Sequence, residues 1–402
     1  MNARPAGASE TGPPGSVRSP RRPASSKRGV ENRAAAEMTL RKLTYIAVAL
    51  AIGTACREPP PAATTPEWHL AEPMVRIGSD VVPEAEFHRV AGAVRLANGE
   101  IAVADVGSSL VRYFAPDGSF RRAFGRAGEG PGEFQSMGRL IRFGDTLALY
   151  DGRNSRLTLF RGDSLLASRM VHPTNSTARF SIYDRLADGR WLAGTGVSPR
   201  FAPRPYRDSI AVGIFAASGE GNVQLLGWFP GPWIVSIEGQ MVGLAGFFGW
   251  VTARVIGDEI VVLDGDQQRL RRFAPDGRES PGGALPVRGE PLTPELIAQA
   301  KRDDAVPGMD PLKERKWMEA RYDPAVLPER QPFRGLVVDS EGLVWLEAAG
   351  RYFVLTRDAR LLASVTVPTG FRATDIGPDY CLGVETDADG VEHIVMYRLT
   401  RK

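Results

Sequence analysis

Cysteine and histidine are both scarce in this chain of 402 residues, which holds two of the first and four of the second. Two cysteines exclude a disulfide scaffold and a Cys₄ zinc site. His69, His88, His172 and His393 are scattered without HxxxH or HExxH spacing, so no histidine metal or catalytic motif is legible. No GxSxG or comparable nucleophile signature is present. Long apolar runs are missing too. Beyond residue 55 none approaches the roughly 20 residues that a spanning helix needs. An excess of positive charge is lacking once the chain is divided. The 50 Lys and Arg against 47 Asp and Glu give +3, but nine of the former and three of the latter lie in residues 1–55. The remainder holds 41 against 44 and is slightly acidic, which argues against nucleic acid as a partner, since that needs a clustered positive surface. The sequence therefore names no catalytic residue, metal or cofactor.

What the chain has in plenty is turn-forming sequence. Glycine and proline number 44 and 31, and 43% of residues are hydrophobic, which favours a turn-rich fold with ample core over long helices. The length allows two or three ordinary domains, or one large domain built of repeats.

The N-terminus reads as an address. Residues 1–37 are rich in Pro, Ser, Arg and Ala without an apolar period and are expected to be disordered, upstream of a true start at Met38. Arg41 and Lys42 then precede the ten apolar residues LTYIAVALAI (43–52) and the small residues Gly53, Thr54 and Ala55. That is the grammar of a secretory signal over 38–55, and ten apolar residues are too few to span a bilayer. Cys56 follows at once, and residues 56–67 form a Pro-rich tether.

Beyond the tether the chain repeats itself. EIAVADVGSSLVRYFAPDG (100–118) aligns without a gap on EIVVLDGDQQRLRRFAPDG (259–277), at an offset of 159. DTLALYDGRNSRLTLF (145–160) is a further copy, at an offset of 46 through Asp151 and Phe160. Each unit reads as short strands with Asp105, Asp151 or Asp264 ending one of them, and APDG as a turn. Four short strands every 45–55 residues is the pattern of propeller blades. The expected units are 92–124, 138–170, 181–229, 249–286 and 333–367, while 370–399 supplies only three strands, around Ala373, Leu382 and Val395. The unpartnered WHLAEPMVRIG (68–78) is expected to supply the fourth and close the ring. The expected fold is thus all-β, a six-bladed β-propeller of four-stranded blades over 68–402, with helices inserted near 293–320.

Two resemblances rest on these residues. The run Gly53-Thr54-Ala55-Cys56 resembles the lipobox of bacterial lipoproteins, which implies that Cys56 carries the lipid. With Arg57 in place of a retaining Asp, it also implies sorting to the outer membrane, on the periplasmic or surface side. The unit NGEIAVADVGSSLVRYFAPDGSFRRAFGRAGEGPGEF (98–134) resembles the NHL repeat, and the body is similar to six-bladed propeller lipoproteins of environmental bacteria. The resemblance implies a fold and a compartment. For function the expected reading is a binding or scaffold module that recognises a protein, peptide or glycan through one face. A lyase or lactonase-like enzyme with a metal in the central channel is the second reading, and a structural envelope component without a ligand is the third.

Candidate sites each have two readings. The recurring aspartates could ligate calcium, or could close turns by accepting backbone N–H groups. GRAGEGPGEF (125–134) has the glycines of a phosphate loop but lacks its Lys-Ser/Thr and a following helix, so it reads as a crossing between blades. Cys381, in YCLGV, is a small buried hydrophobe or a reactive thiol. The segment 227–250 crowds Trp228, Trp233, Phe247, Phe248 and Trp250 between two blades, and is either a loop packed on its own blades or a partner-facing aromatic surface. The long crossings, 125–137, 171–180, 230–248 and 287–332, should all lie on one face, with short turns opposite, and binding is expected on the long-loop face.

Overall fold

The computed structural model of the protein describes residues 65–78, 82–173, 180–196, 202–216, 218, 220–237, 241–247, 251–305, 308–327, 329–348 and 350–402. The leader 1–37, the signal 38–55, Cys56, most of the tether, Phe248 and Trp250 lie outside them.

The first repeat shows how the sequence makes a sheet. Val90–Arg95, Ile101–Asp105, Leu110–Phe114 and Phe120–Phe124 pair antiparallel in that order. Ile101–Asp105 is buried throughout because neighbouring sheets cover both of its faces, so it reads as an apolar run rather than an alternation. The outer strand Phe120–Phe124 is exposed at Phe120 and Arg121. The turns LANG and APDG are closed by Gly99 and Gly118 at φ +86° and +87°, which a side chain would strain. The same arrangement recurs with the first strands Met137–Phe143, Phe180–Arg185, Val251–Ile256, Gly335–Val338 and Phe371–Ile376. These first strands touch one another in chain order, and Phe371–Ile376 returns to touch Val90–Arg95. Antiparallel sheets arrayed around a ring of first strands make a β-propeller.

The ring is joined by the N-terminal strand, Glu67–Ile77. It pairs antiparallel with Glu392–Thr400, the last strand of the chain, from His69↔Thr400 to Ile77↔Ile394. Its first residues also pair in parallel with the preceding sheet, Glu67↔Ser364 and Trp68↔Val365. One strand therefore staples two sheets into a continuous eight-stranded sheet. Trp68 anchors it, with its ring 5.9 Å from Trp345 and the Arg401 guanidinium 5.1 Å over it. Val75 and Ile77 are buried in the core beside Tyr380, Leu382 and Ile394.

Two segments depart from the plain four-stranded unit. The helical insert has the helices α1, Pro294–Asp303, and α2, Pro311–Arg321. Thr293 caps the first by accepting the Leu296 N–H at 3.2 Å, and Asp310 caps the second by accepting that of Lys313 at 2.9 Å. The third unit departs from the expected 181–229. Its fourth strand runs from Gln224 to Ile237 and a fifth, Met241–Leu244, comes after it, so much of the segment read as an aromatic loop is strand. Pro230-Gly231-Pro232 reads as a loop in sequence. It is tolerated because the partner Met241–Leu244 reaches only Ile234–Ile237, which leaves the prolines on an edge.

Deleting 57–77 removes two buried aliphatic side chains, each contributing about 1.5–3 kcal/mol, together with the Trp68 anchor. The melting temperature is expected to fall by roughly 10 °C. A truncated protein melting within a degree or two of the whole would show that the ring does not depend on this strand.

Candidate functional site

First strands in a ring have one edge paired within their own sheet and the other facing the axis. The N–H and C=O groups of that edge need partners. At the seam of this ring, side chains supply them. Val90 donates its N–H to Glu392 at 2.7 Å and accepts from Arg372 at 3.1 Å. The Thr374 hydroxyl accepts the Ala93 N–H at 3.3 Å and donates to the Ala93 carbonyl at 2.8 Å. Asp375 accepts the Arg95 N–H at 2.8 Å, and Arg142 donates to the Arg95 carbonyl. Three residues of one free edge are thus satisfied by neighbouring side chains. Across the ring Asp184 does the same, accepting the Val255 N–H at 3.0 Å.

The first strands enclose a cavity of about 240 Å³ lined by residues 91–94 and 335–337 and by Arg139, Thr252, Arg254, Glu347 and Arg372. Its residues come from five of the first strands, so it lies on the ring axis. Arg139 and Arg254 are half-buried in it and close enough to repel. Arg254 donates Nη1 to Thr252 Oγ1 at 3.2 Å and to the Ala253 carbonyl at 2.7 Å, but its Nε is buried without an acceptor. Nη1 of Arg139 is likewise buried without an acceptor. Burial, and then the charge of Arg139, push Arg254 down to about 9. Burial lowers Arg139 too, against the opposing pull of Asp184 and Asp375. Those two carboxylates attract Arg139 without bonding it. Asp184 is held by the N–H groups of Arg185 and Val255, and Asp375 by Arg95, Arg142 and Tyr380. Glu347, in the same wall, is raised by burial and opposed by Arg372 and Arg334.

A second cavity, of about 410 Å³, lies between the insert and 330–334. Phe247, Asp304, Arg321 and Tyr322 line it, and Arg321 and Tyr322 both donate to Asp304, the first at 2.8 Å. Arg334 is exposed and lines both cavities. The aromatic residues of 227–250 divide. Trp228 is 62% exposed on the fourth strand of its sheet, at a stretch that the fifth strand does not reach. Trp233 and Phe247 pack instead against the cluster of Val235, Ala245, Trp317, Met318 and Tyr322, with the Phe247 ring 5.1 Å from that of Tyr322.

The recurring aspartates sit at the ends of second strands, and Asp105, Asp151 and Asp264 are all buried. Asp105 accepts the His88 N–H at 2.9 Å and pairs with Arg112 at 3.4 Å. Asp151 accepts N–H groups of Gln135, Ser136, Arg153 and Asn154 between 2.6 and 3.1 Å. Asp264 accepts that of Gln267 at 3.0 Å. Each therefore closes local loops, and among the described residues no three His, Cys, Asp or Glu side chains gather as a metal-binding group. GRAGEGPGEF crosses between two sheets, with Glu133 folded back onto the Gly130 N–H at 2.8 Å. His88 faces Glu86 and His393 faces Asp387. Cys381 is buried, and burial raises its thiol well above the usual range. No described helix is long and apolar enough to cross a membrane.

The arginine pair is not legible in the sequence alone. Its trace there is an arginine inside each of two apolar first strands, Arg139 in MGRLIRF, which also holds Arg142, and Arg254 in VTARVI.

No family model and no curated protein sequence matches the chain. Solved structures do. A Bacteroides fragilis protein named as exported superimposes with TM-score 0.45 at 12% identity, covering 84% of this chain and 99% of its own. Regucalcin of Agrobacterium tumefaciens, a calcium-binding protein, gives 0.43 at 13%, over 84% and 97%. A virginiamycin B lyase of Staphylococcus aureus gives 0.43 at 7%, over 81% and 99%. Likenesses this distant transfer no chemistry to this chain.

Asp151→Ala would strand four backbone donors at the end of a buried strand. The expected loss is about 3 kcal/mol or more, since each buried unsatisfied group costs about 1–3 kcal/mol. Chemical denaturation measures it. If calcium chelation lowered wild-type stability by as much, the carboxylate would be a metal ligand instead.

Proposed function

We propose that the chain is a lipid-anchored, extracytoplasmic binding protein, a propeller of six blades that captures its partner on the long-loop face. The blade count rests on six first strands touching in cyclic order. The observation that carries the binding reading is the insert. Closing the ring needs no helices, yet 287–332 folds into two capped helices that wall a 410 Å³ cavity, and Arg334 joins that cavity to the axial one. Segments in excess of what closure requires are where scaffolds place recognition. The insert also covers Trp233 and Phe247, so the recognition surface in this reading is the cavity rim of Arg321, Arg330, Gln331 and Arg334 rather than the aromatic segment. A polar rim of this kind suits a peptide segment of a protein partner.

The test is an array of peptides and glycans probed with the full chain. At least one peptide is expected to bind saturably, and Arg330→Ala combined with Arg334→Ala should weaken it at least tenfold without lowering the melting temperature. Asp117→Ala, in a short turn of the opposite face, should leave binding unchanged. Binding lost through Asp117 and retained in the arginine variants would reverse the face, and glycan binding alone would refute the peptide partner. For the anchor, Cys56→Ser should move the protein out of the membrane fraction or leave an uncleaved precursor. Unchanged mass and membrane association would refute lipidation.

A further inference from the structure

The axial cavity holds an electrostatic arrangement that folding alone does not explain. Two guanidinium groups repel one another inside it, and each has a buried N–H with no acceptor. Leaving such donors unpaired is costly, and leaving a partly desolvated charge unpaired is more so. The two carboxylates that pull on Arg139 do not relieve it, because both are engaged. Asp184 bonds the backbone of Arg185 and Val255. Asp375 bonds Arg95, Arg142 and Tyr380. Thr252, the one side-chain acceptor that Arg254 has, bonds Nη1 and not Nε.

The charges around the cavity can be paired off. Arg142 pairs with Asp375 at 3.2 Å. Arg372 faces Glu347 across the wall, and Asp184 opposes Arg139 and Arg254 together. Arg139 and Arg254 are thus left to share Asp184, whose oxygens accept backbone N–H groups. Both guanidinium groups line this one cavity, and the buried donor of each has no acceptor in the chain. A guanidinium matches a carboxylate with two parallel N–H donors, and two such groups can share its oxygens. About 240 Å³ admits a small acid whole, or the end of a chain, but no folded element.

We propose that the ring axis is a carboxylate-binding site, in which Arg139 and Arg254 hold the two oxygens of one carboxylate. The carboxylate belongs to a small organic acid or to the C-terminus of a peptide entering end-on. This site is carried by Arg139 and Arg254, which are not part of the long-loop rim, although Arg334 lines both cavities.

The full chain, held in detergent micelles, is titrated with sodium acetate against sodium chloride at constant ionic strength. Calorimetry and thermal melting are the readouts. Acetate is expected to bind saturably and to raise the melting temperature by several degrees, because a ligand that binds only the folded state stabilises it. Arg139→Met and Arg254→Met should each weaken acetate at least tenfold. In chloride, both should melt at or above the wild type, since each removes a repelling, unpartnered charge. Arg139→Lys keeps the charge but loses the planar fork, and should bind acetate with intermediate strength. Should the methionine variants melt well below the wild type, while the wild type ignores acetate, the arginines would be structural and the proposal overturned. Equal acetate binding in wild type and variants would overturn it as well. Inorganic phosphate is the counter-probe. Tighter binding of phosphate than of acetate would overturn the carboxylate assignment. Succinate, compared with a short peptide carrying a free or an amidated C-terminus, identifies the source. Preference for the free over the amidated peptide points to a chain end and preference for succinate to a small acid, and either upholds the site.

Discussion

A closed ring of sheets removes outer edges but creates inner ones, and the rest of this structure depends on how those inner edges are satisfied. Every first strand turns a row of N–H and C=O groups toward the axis, where no further strand fits. Here side chains complete them. At the seam, Glu392, Arg372, Thr374, Asp375 and Arg142 bond Val90, Ala93 and Arg95 in turn. Across the ring Asp184 clasps Val255. Asp184 is therefore engaged with backbone, and Asp375 with backbone, Arg142 and Tyr380. That explains how two arginines can sit in a largely apolar ring without a hydrogen-bonded counter-charge.

The same demand accounts for the strength of the seam. The first and last sheets are joined twice, on the inside by the side-chain clasp and on the outside by Glu67–Ile77. The outer join carries the chain ends. Because the strand also pairs with Ser364 and Val365, it locks the last two sheets together as well as closing the ring. Asp339 ties the join further inward. It accepts the Trp345 indole N–H at 2.9 Å and pairs with Arg401 at 3.0 Å, and both of those residues hold Trp68. A strand remote in sequence is thus fixed by one buried carboxylate and two aromatic rings.

Much of this was legible in the residues. Repetition of Asp105 as Asp151 and Asp264, with APDG at 115–118 and again at 274–277, located sheets and turns because both devices act locally. An Asp bonds its neighbours' N–H groups, and a Gly accepts positive φ, whatever surrounds them. The three-strand ending and the unpartnered 68–78 were also visible, since strand counting needs no geometry. The aromatic segment misled for a physical reason. Pro230-Gly231-Pro232 normally breaks a strand, and only the three-dimensional fact that this strand lies at an edge permits it. The helices that cover Trp233 and Phe247 lie about seventy residues further along the chain, a contact that no local pattern announces. The arginine pair was invisible for the same reason. Arg139 and Arg254 are 115 positions apart, and each on its own reads as an exposed interruption of an apolar strand.

That invisibility is itself informative about the site. Groups repeated in every blade serve the blade, as the aspartates do. Arg139 and Arg254 occupy different positions in their strands, third of seven and fourth of six, so they are not products of the repeat. They also work against it, since a neutral side chain at either place would relieve the repulsion and leave no donor stranded. A feature that is absent from the repeat and unfavourable to the empty fold calls for something that compensates it. Asp184 and Asp375 are engaged at the inner edges, so in this reading the compensation comes from outside the chain. This is why the axis, rather than the better-recognised repeats around it, is the chemically informative part of the protein.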